Sequence, residues 1–113
     1  MKYDLTMLRK LSDNDETFIL DMLQTFKRTA PPVIARMEEY AAQHKPEAAS
    51  REAHKLIPGV SFLGARDLEK VLKGIEEQGK TGENPESMAS LIREAKTIVN
   101  ELIFDFENDF HLE

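Results

Sequence analysis

His54 is the residue of this sequence whose type and setting best suit covalent chemistry. At roughly 100° per residue, an apolar seam through Ala53, Leu56 and Val60 leaves the histidine to one side of the buried face. We therefore expect the imidazole to reach solvent from the middle of a helix, a mount that fixes the direction of the ring. A neutral imidazole nitrogen with a free lone pair is a nucleophile that can carry a phosphoryl group covalently. The alternative is an ordinary surface histidine without a chemical role.

Two cations lie beside His54 and would favour a phosphate bound there. Arg51 lies one helical turn before the histidine, and Lys55 follows it directly. Ser61 lies on the same face two turns later, where its hydroxyl could bond either the phosphate or, as is commoner in helices, the backbone carbonyl of Ile57. The alternative for both cations is that they belong to a solvated helix face.

The composition excludes most other chemistry. The chain has 113 residues, which fit one domain over residues 1–113, and its formal net charge of −6 argues against nucleic acid or an anionic membrane as a partner. It has no cysteine, no glycine-rich phosphate-binding motif and no Glu-x-x-His pair, so we expect neither nucleotide-dependent kinase activity nor a bound metal. The first residues lack a signal-peptide pattern and no apolar run approaches the roughly 18 residues of a membrane span, so a cytoplasmic location is expected.

The elements that must position His54 are helices. Apolar residues recur at helical spacing almost throughout the chain, and no segment shows sustained alternation with a period of two. The connections between these segments are short, which implies antiparallel neighbours. The sequence thus predicts an all-α fold, an antiparallel up-down four-helix bundle with an additional short N-terminal helix through Leu5, Leu8 and Leu11.

Local signals predict where these helices begin and end. Ser12 or Asp13 is expected to cap the second helix, whose core stripe consists of Phe18, Ile19, Met22, Leu23 and Phe26. Two prolines after Ala30 should stop or kink that helix. The remaining signals are Pro46 at the start of the helix that carries His54, Gly64 at its end, and a loop over residues 79–85 before a long last helix.

Pro58 lies within the helix that carries His54. Proline has no N–H to donate to the carbonyl of His54 four residues earlier, and its ring crowds that carbonyl. The apolar seam stays in phase across the proline, which favours a kink centred on His54 over a break into two helices. Gly59 is expected to keep the surface low beside the imidazole.

The segment around His54 resembles the signature of histidine-containing phosphotransfer (HPt) domains. Ala53-His54-x-Leu56 matches the start of the family pattern and Leu63-Gly64-Ala65 matches its end in register. The likeness covers about residues 3 to 105 and includes the later stretch Leu72-Lys73-Gly74-Ile75-Glu76. It implies a four-helix bundle in two-component signalling, with His54 as the phosphoacceptor that relays phosphate between aspartates of response-regulator receiver domains.

The resemblance also has implications for cofactors and for partner proteins. It predicts no cofactor on this chain, with Mg²⁺ carried by the receiver, and it leaves open a hybrid sensor histidine kinase as a further partner. The protein would be a covalent carrier rather than an autonomous kinase. The receiver is expected to dock on the rim around His54, where Ile57, Pro58, Gly59 and Phe62 contribute.

Two departures from the family pattern lie next to the histidine. The lysine that the family places three residues after its histidine is Ile57 here, and the following glycine is Pro58. Arg51 or Lys55 would then have to supply the cation near the phosphate. The loss of that lysine motivates a second hypothesis, a helical adaptor that binds a receiver or another signalling protein without carrying phosphate. A third hypothesis is a plain structural or dimerisation bundle.

Overall fold

Five helices make up the fold in the computed structural model, which describes residues 2–112. Their bounds are α1 Thr6–Leu11, α2 Glu16–Ala42, α3 Pro46–Phe62, α4 Arg66–Thr81 and α5 Pro85–Phe110. Helices α2 to α5 close into a ring, in which each packs against the next and α5 packs against α2. The ion pairs Lys27–Glu107 and Lys96–Glu38 join α2 and α5 in antiparallel order. The predicted all-α bundle with a short N-terminal helix is therefore confirmed; Met1 and Glu113, the ends of the predicted domain 1–113, lie outside the described residues.

The helix α2 is one element across both of its prolines, so the predicted stop after Ala30 is wrong, and the alternative of a kink there stays a prediction. Pro31 and Pro32 are both exposed, whereas Ala30 and Val33 on either side of them are buried. The carbonyls that lose their helical N–H partners lie about one turn back, on roughly the same solvent-facing side, where water can bond them. Burial of the flanking residues holds the helix together at this point.

The start of α2 also differs from the prediction. Its N-cap is Asp15, whose side chain accepts a hydrogen bond from the backbone N–H of Phe18 at 3.2 Å, and not Ser12 or Asp13. Asp13 and Asn14 have φ angles of 55° and 59°, a left-handed turn that ends α1 and moves the helix start to Asp15. Phe18, predicted for the core stripe, is 44% exposed.

The end of α3 matches the prediction for Gly64. The N–H groups of Gly64 and Ala65 return to the carbonyls of Ser61 and Val60, and Gly64 has a φ of 64°. The position also excludes a side chain for a second reason, because a Cβ there would lie 2.1 Å from the carbonyl oxygen of Asp4. The N-terminal segment thus packs directly on this turn, and the N–H of Asp4 donates to the carbonyl of Leu63 at 3.1 Å.

The connection between α4 and α5 is shorter than predicted. The helix α4 continues to Thr81, so the expected loop over 79–85 is reduced to residues 82–84. Gly79 is a buried helical residue, because a Cβ at that position would meet the Cβ of Ser50 at 2.2 Å and the carbonyl oxygen of Pro46 at 2.8 Å. The glycine that looked like a loop residue is the point where α3 and α4 approach most closely on this side.

Candidate functional site

His54 lies on the solvent-facing side of α3, as the sequence predicts, and its side chain is 69% exposed. Ala53, Leu56 and Val60 on the opposite side of the helix are buried in the core. The helix α3 is a single element across Pro58, which excludes the break into two helices. The kink at His54 stays a prediction.

The imidazole of His54 contacts a carboxylate on the neighbouring helix. Its Nδ1 atom lies 2.6 Å from Oε2 of Glu76 on α4. A carboxylate only accepts hydrogen bonds, so this contact favours the tautomer in which Nδ1 carries the proton. The lone pair is then on Nε2, the ring nitrogen without a partner among the described residues. This arrangement presents a nucleophilic nitrogen to solvent.

The close approach of α3 and α4 positions Glu76 beside His54. The hydroxyl of Ser50, one turn before the histidine, donates to the backbone carbonyl of Glu76 at 3.0 Å. Gly79 permits this contact because it has no side chain between the two helices. Ser50 and Gly79 therefore fix the register of α4 against α3, and that register places the Glu76 carboxylate at the imidazole.

Lys55 is bound to a buried carboxylate rather than directed at the histidine. Its Nζ atom donates to Oε2 of Glu52 at 2.6 Å, and Nε of Arg36 on α2 donates to the other oxygen of Glu52. Burial raises the pKa of the Glu52 carboxyl, but the hydrogen bonds from Lys55 and Arg36 outweigh it and bring the pKa below its usual value. Glu52 is thus held ionised between two cations at the α2–α3 interface.

Arg51 and Ser61, the other two residues predicted for the phosphate environment, are both exposed on α3. Within residues 2–112, neither side chain makes a hydrogen bond or an ion pair. The hydroxyl of Ser61 therefore does not bond back to the carbonyl of Ile57. Both side chains are available to a group bound at His54.

The four residues predicted for partner docking lie along the same helix. Pro58 and Phe62 are exposed, while Ile57 is half-buried against the core. A Cβ at Gly59 would meet no atom within 4 Å, so packing inside this chain does not require a glycine there.

An apolar groove adjoins this rim at the end of α3. Its apolar lining comes from Leu8, Leu11, Phe18, Met22 and Phe62, where α1 and the first turns of α2 meet the last turn of α3. Leu11 is 66% exposed and Phe62 is 39% exposed. Of these, the sequence indicated only Phe62 as a surface residue, because Leu11 and Phe18 fit the apolar spacing of their own helices.

Glu76 is the site residue that the sequence analysis missed. One signal could have found it. In an antiparallel helical hairpin, residues at similar distances from the turn face each other, and His54 and Glu76 lie ten residues before and twelve residues after Gly64. Glu76 also follows its helix's buried positions Leu72 and Ile75, which places it at the edge of the packed face.

Two broader findings concern the described part of the chain. Within residues 2–112, no three His, Cys, Asp or Glu side chains form a group that could hold a metal ion. Of the five helices described, none is both long and apolar enough to cross a bilayer.

In a comparison with protein-family models, the chain matches the family described as Hpt domain over residues 21–103. The matched range contains His54, Glu76 and the whole of α3 and α4. No curated protein and no solved structure matches the chain in the corresponding searches.

Proposed function

Because the chain belongs to the Hpt domain family, whose members interact with receiver domains in two-component phosphorelays, we propose that it is a relay intermediate. In this proposal His54 accepts a phosphoryl group from one receiver aspartate and passes it to another. The observation that supports it most is the contact between Nδ1 of His54 and Glu76 on an otherwise exposed imidazole. That contact directs the reactive lone pair outward, where a partner can reach it.

The first step is a nucleophilic displacement at phosphorus. The Nε2 lone pair attacks the phosphorus of an aspartyl phosphate, the P–O bond to the aspartate breaks, and its electron pair returns to the aspartate carboxylate. The imidazole ring becomes positively charged, and the Glu76 carboxylate stabilises that charge through the Nδ1–H bond. In the second step a different aspartate attacks the phosphorus, and the electron pair of the P–N bond returns to Nε2. Glu76 keeps the leaving group a neutral imidazole with its proton on Nδ1.

Arg51 is the cation that we assign to the phosphoryl group. It lies one turn from His54, and no residue among the described 2–112 binds its guanidinium. A guanidinium can donate two parallel hydrogen bonds to phosphate oxygens. Ser61 is assigned a hydroxyl bond to the same group. The Mg²⁺ ion that phosphoryl transfer requires would come with the receiver.

The receiver would dock on the surface around His54. Ile57, Pro58 and Phe62 supply apolar area there, and the groove at Leu11 and Phe18 extends it toward α1. The low surface at Gly59 leaves room for the backbone of a partner to approach. A hybrid sensor histidine kinase that carries a receiver domain would use the same surface.

Phosphate transfer from a receiver tests the relay directly. The protein is incubated with the phosphorylated receivers of its host, and the label is followed by its stability in alkali and its loss in acid. We expect label on the wild type and none on His54→Gln, with His44→Gln as the matched control that keeps its label. Binding of a receiver without any transfer would instead support the adaptor hypothesis, which the isoleucine in place of the family's lysine motivates. Label that persists in His54→Gln would show that another residue accepts the phosphate.

A further inference from the structure

Glu52 is a buried carboxylate two residues before the proposed phosphoacceptor, and it binds the lysine that follows the histidine. Only 5% of the residue is exposed, yet it carries a negative charge between Lys55 and Arg36. We propose that Glu52 shortens the lifetime of phosphorylated His54 by holding Lys55 away from the phosphoryl group. This inference rests on the proposed relay function, and it assigns Glu52 as a positioning residue.

The direction of the imidazole makes Lys55 relevant. Nδ1 of His54 points toward α4, because it contacts Glu76 there. Nε2 is bonded to Nδ1 through Cε1, and its outward bond diverges from that of Nδ1, so a phosphoryl group on Nε2 would point into solvent and away from α4. Arg36 on α2 shows that Glu52 and the bound Lys55 lie on the flank of α3 that faces α2. Lys55 therefore emerges on the side of the helix toward which the phosphoryl group would point.

A phosphoryl group at this position needs positive charge around it. It brings two negative charges to a ring whose other nitrogen already contacts the Glu76 carboxylate. The ammonium group of Lys55, on a flexible four-carbon stem, could approach the phosphate oxygens if it were released. While Lys55 stays on Glu52, the phosphohistidine lacks this stabilisation, and its transfer to water or to an aspartate is favoured.

The structure indicates why Lys55 stays on Glu52. Because Lys55 and Arg36 cover the carboxylate between them, withdrawal of Lys55 would leave its negative charge with only Arg36 as a cationic partner. The phosphoryl group would compete with Glu52 for the ammonium group of Lys55, but it is exposed to water, where ion pairs are weak. The Glu52 carboxylate therefore binds the ammonium of Lys55 more strongly than the phosphoryl group does. As a consequence, the chain transfers its phosphoryl group rather than storing it.

The lifetime of the phosphohistidine in the isolated protein tests this assignment. Phosphoramidate loads the histidine chemically, with ammonia as the leaving group, so no receiver is needed; the loaded protein is then followed by ³¹P NMR. In hydrolysis the water oxygen bonds to phosphorus, the P–N bond breaks and its electron pair returns to the ring. His54→Gln supplies the background from other histidines.

Release of Lys55 should lengthen the half-life. Glu52→Gln is expected to extend the half-life by about twofold to fivefold, because the released Lys55 would form a partly exposed ion pair with the phosphoryl group and such pairs stabilise by that amount. Lys55→Ala alone should leave the half-life within about a factor of 1.5 of the wild type, since Lys55 is already held elsewhere, whereas Lys55→Ala in the Glu52→Gln background should abolish the gain. This dependence on Lys55 is a readout that a merely structural role of Glu52 would not produce.

Three results would overturn the assignment. One is an unchanged half-life in Glu52→Gln with its helical circular dichroism intact. Another is a gain that survives Lys55→Ala. The third is a shortened half-life in Lys55→Ala alone, which is measured whether or not the Glu52 variants fold. Glu52→Met, which fills a similar volume without a charge, replaces Glu52→Gln if the latter is unfolded. Failure of receivers to label the wild type would contradict the relay itself and is read out separately.

Discussion

Exchange of Gly79 for alanine should destabilise the bundle, whereas the same exchange at Gly59 should stabilise it. Both glycines lie inside helices that frame the proposed site. A Cβ at Gly79 would lie 2.2 Å from the Cβ of Ser50, a distance that two carbon atoms cannot share, while a Cβ at Gly59 would meet nothing within 4 Å. Gly74 is the matched control, because its added Cβ would make an ordinary 3.4 Å contact with Leu91.

The magnitudes follow from two opposing terms. Alanine in a helix interior is favoured over glycine by about 0.5–1 kcal/mol, since glycine loses more backbone entropy on folding. Overpacking a tight contact costs about 1–3 kcal/mol. We therefore expect Gly59→Ala to raise the free energy of unfolding by about 0.5–1 kcal/mol. For Gly79→Ala the 2.2 Å contact puts the overpacking cost near the upper end of its range, so the two terms leave a loss of about 2–2.5 kcal/mol.

Urea denaturation followed by helical circular dichroism measures both changes. For a small domain the free energy of unfolding falls by about 1–3 kcal/mol per molar urea, so the two midpoints should differ by about 1 M or more. Gly74→Ala should fall near or slightly above the wild type. If Gly79→Ala proved as stable as Gly59→Ala, the close approach of α3 and α4 could not be what requires a glycine at this position.

Gly79→Ala should also change the imidazole of His54. The added methyl group separates α3 from α4 at Ser50, whose hydroxyl bonds the backbone of Glu76, and so it should weaken the contact between Glu76 and Nδ1. The ¹⁵N chemical shifts of the ring report the tautomer. They should move toward a mixture of Nδ1–H and Nε2–H forms in Gly79→Ala and stay unchanged in Gly74→Ala. An unchanged tautomer in a destabilised Gly79→Ala would refute the link between the helix register and the imidazole.

Three further changes have defined outcomes. Glu76→Gln should slow phosphorylation of His54 by a receiver by about tenfold or more, because an amide cannot hold the proton on Nδ1 as a carboxylate does; an unchanged transfer rate in quenched-flow labelling would contradict that role. Burial, with the hydrogen bond to the Asp109 carboxylate, raises the pKa of Tyr3 above its usual value near 10. Since only the unfolded chain then ionises at Tyr3 between the two pKa values, the contribution of Tyr3 to stability is constant below about pH 10 and falls above it. Tyr3→Phe should therefore remove a fall in stability above about pH 10 in urea titrations. Asp15→Ala should cost about 1 kcal/mol through loss of the N-cap of α2, visible as a lower denaturation midpoint, with Asp21→Ala, at an exposed position within α2, as the control that does not lower it.

Local sequence patterns were sufficient to predict the class of fold and the exposure of His54. Helical spacing of apolar residues, with short breaks at Pro46 and Gly64, predicts the long helices and their antiparallel order. The same spacing places His54 outside the apolar seam, and the structure finds it on the solvent side of α3. These features depend on residues close together in the chain, so they can be predicted from the sequence alone.

Contacts between distant residues decided the rest. From the sequence, Gly79 is predicted to lie in a loop, but in the structure it packs against Ser50 and Pro46 inside α4. Pro31 is predicted to end its helix, but burial of the residues on either side keeps α2 continuous. The sequence predicts Lys55 as a cation near the phosphate, and the structure adds that its ammonium group binds the buried Glu52. For Gly79 and Pro31 the deciding contacts lie across helix interfaces, where burial and close approach outweigh local propensity. Lys55 and Glu52 lie on the same helix, and the contact that crosses an interface there is the one from Arg36 on α2 to Glu52.

The sequence by itself determined an all-α bundle in which His54 is exposed in the middle of a helix. Only the tertiary structure decided how that histidine is equipped, with Glu76 of α4 on Nδ1 and with Arg36 of α2 on the Glu52 that also binds Lys55. The physical reason is that electrostatic and hydrogen-bonding contacts depend on distance in space. In this chain the carboxylate at the imidazole comes from the next helix, 22 residues away in sequence, at a register fixed by a glycine and a serine.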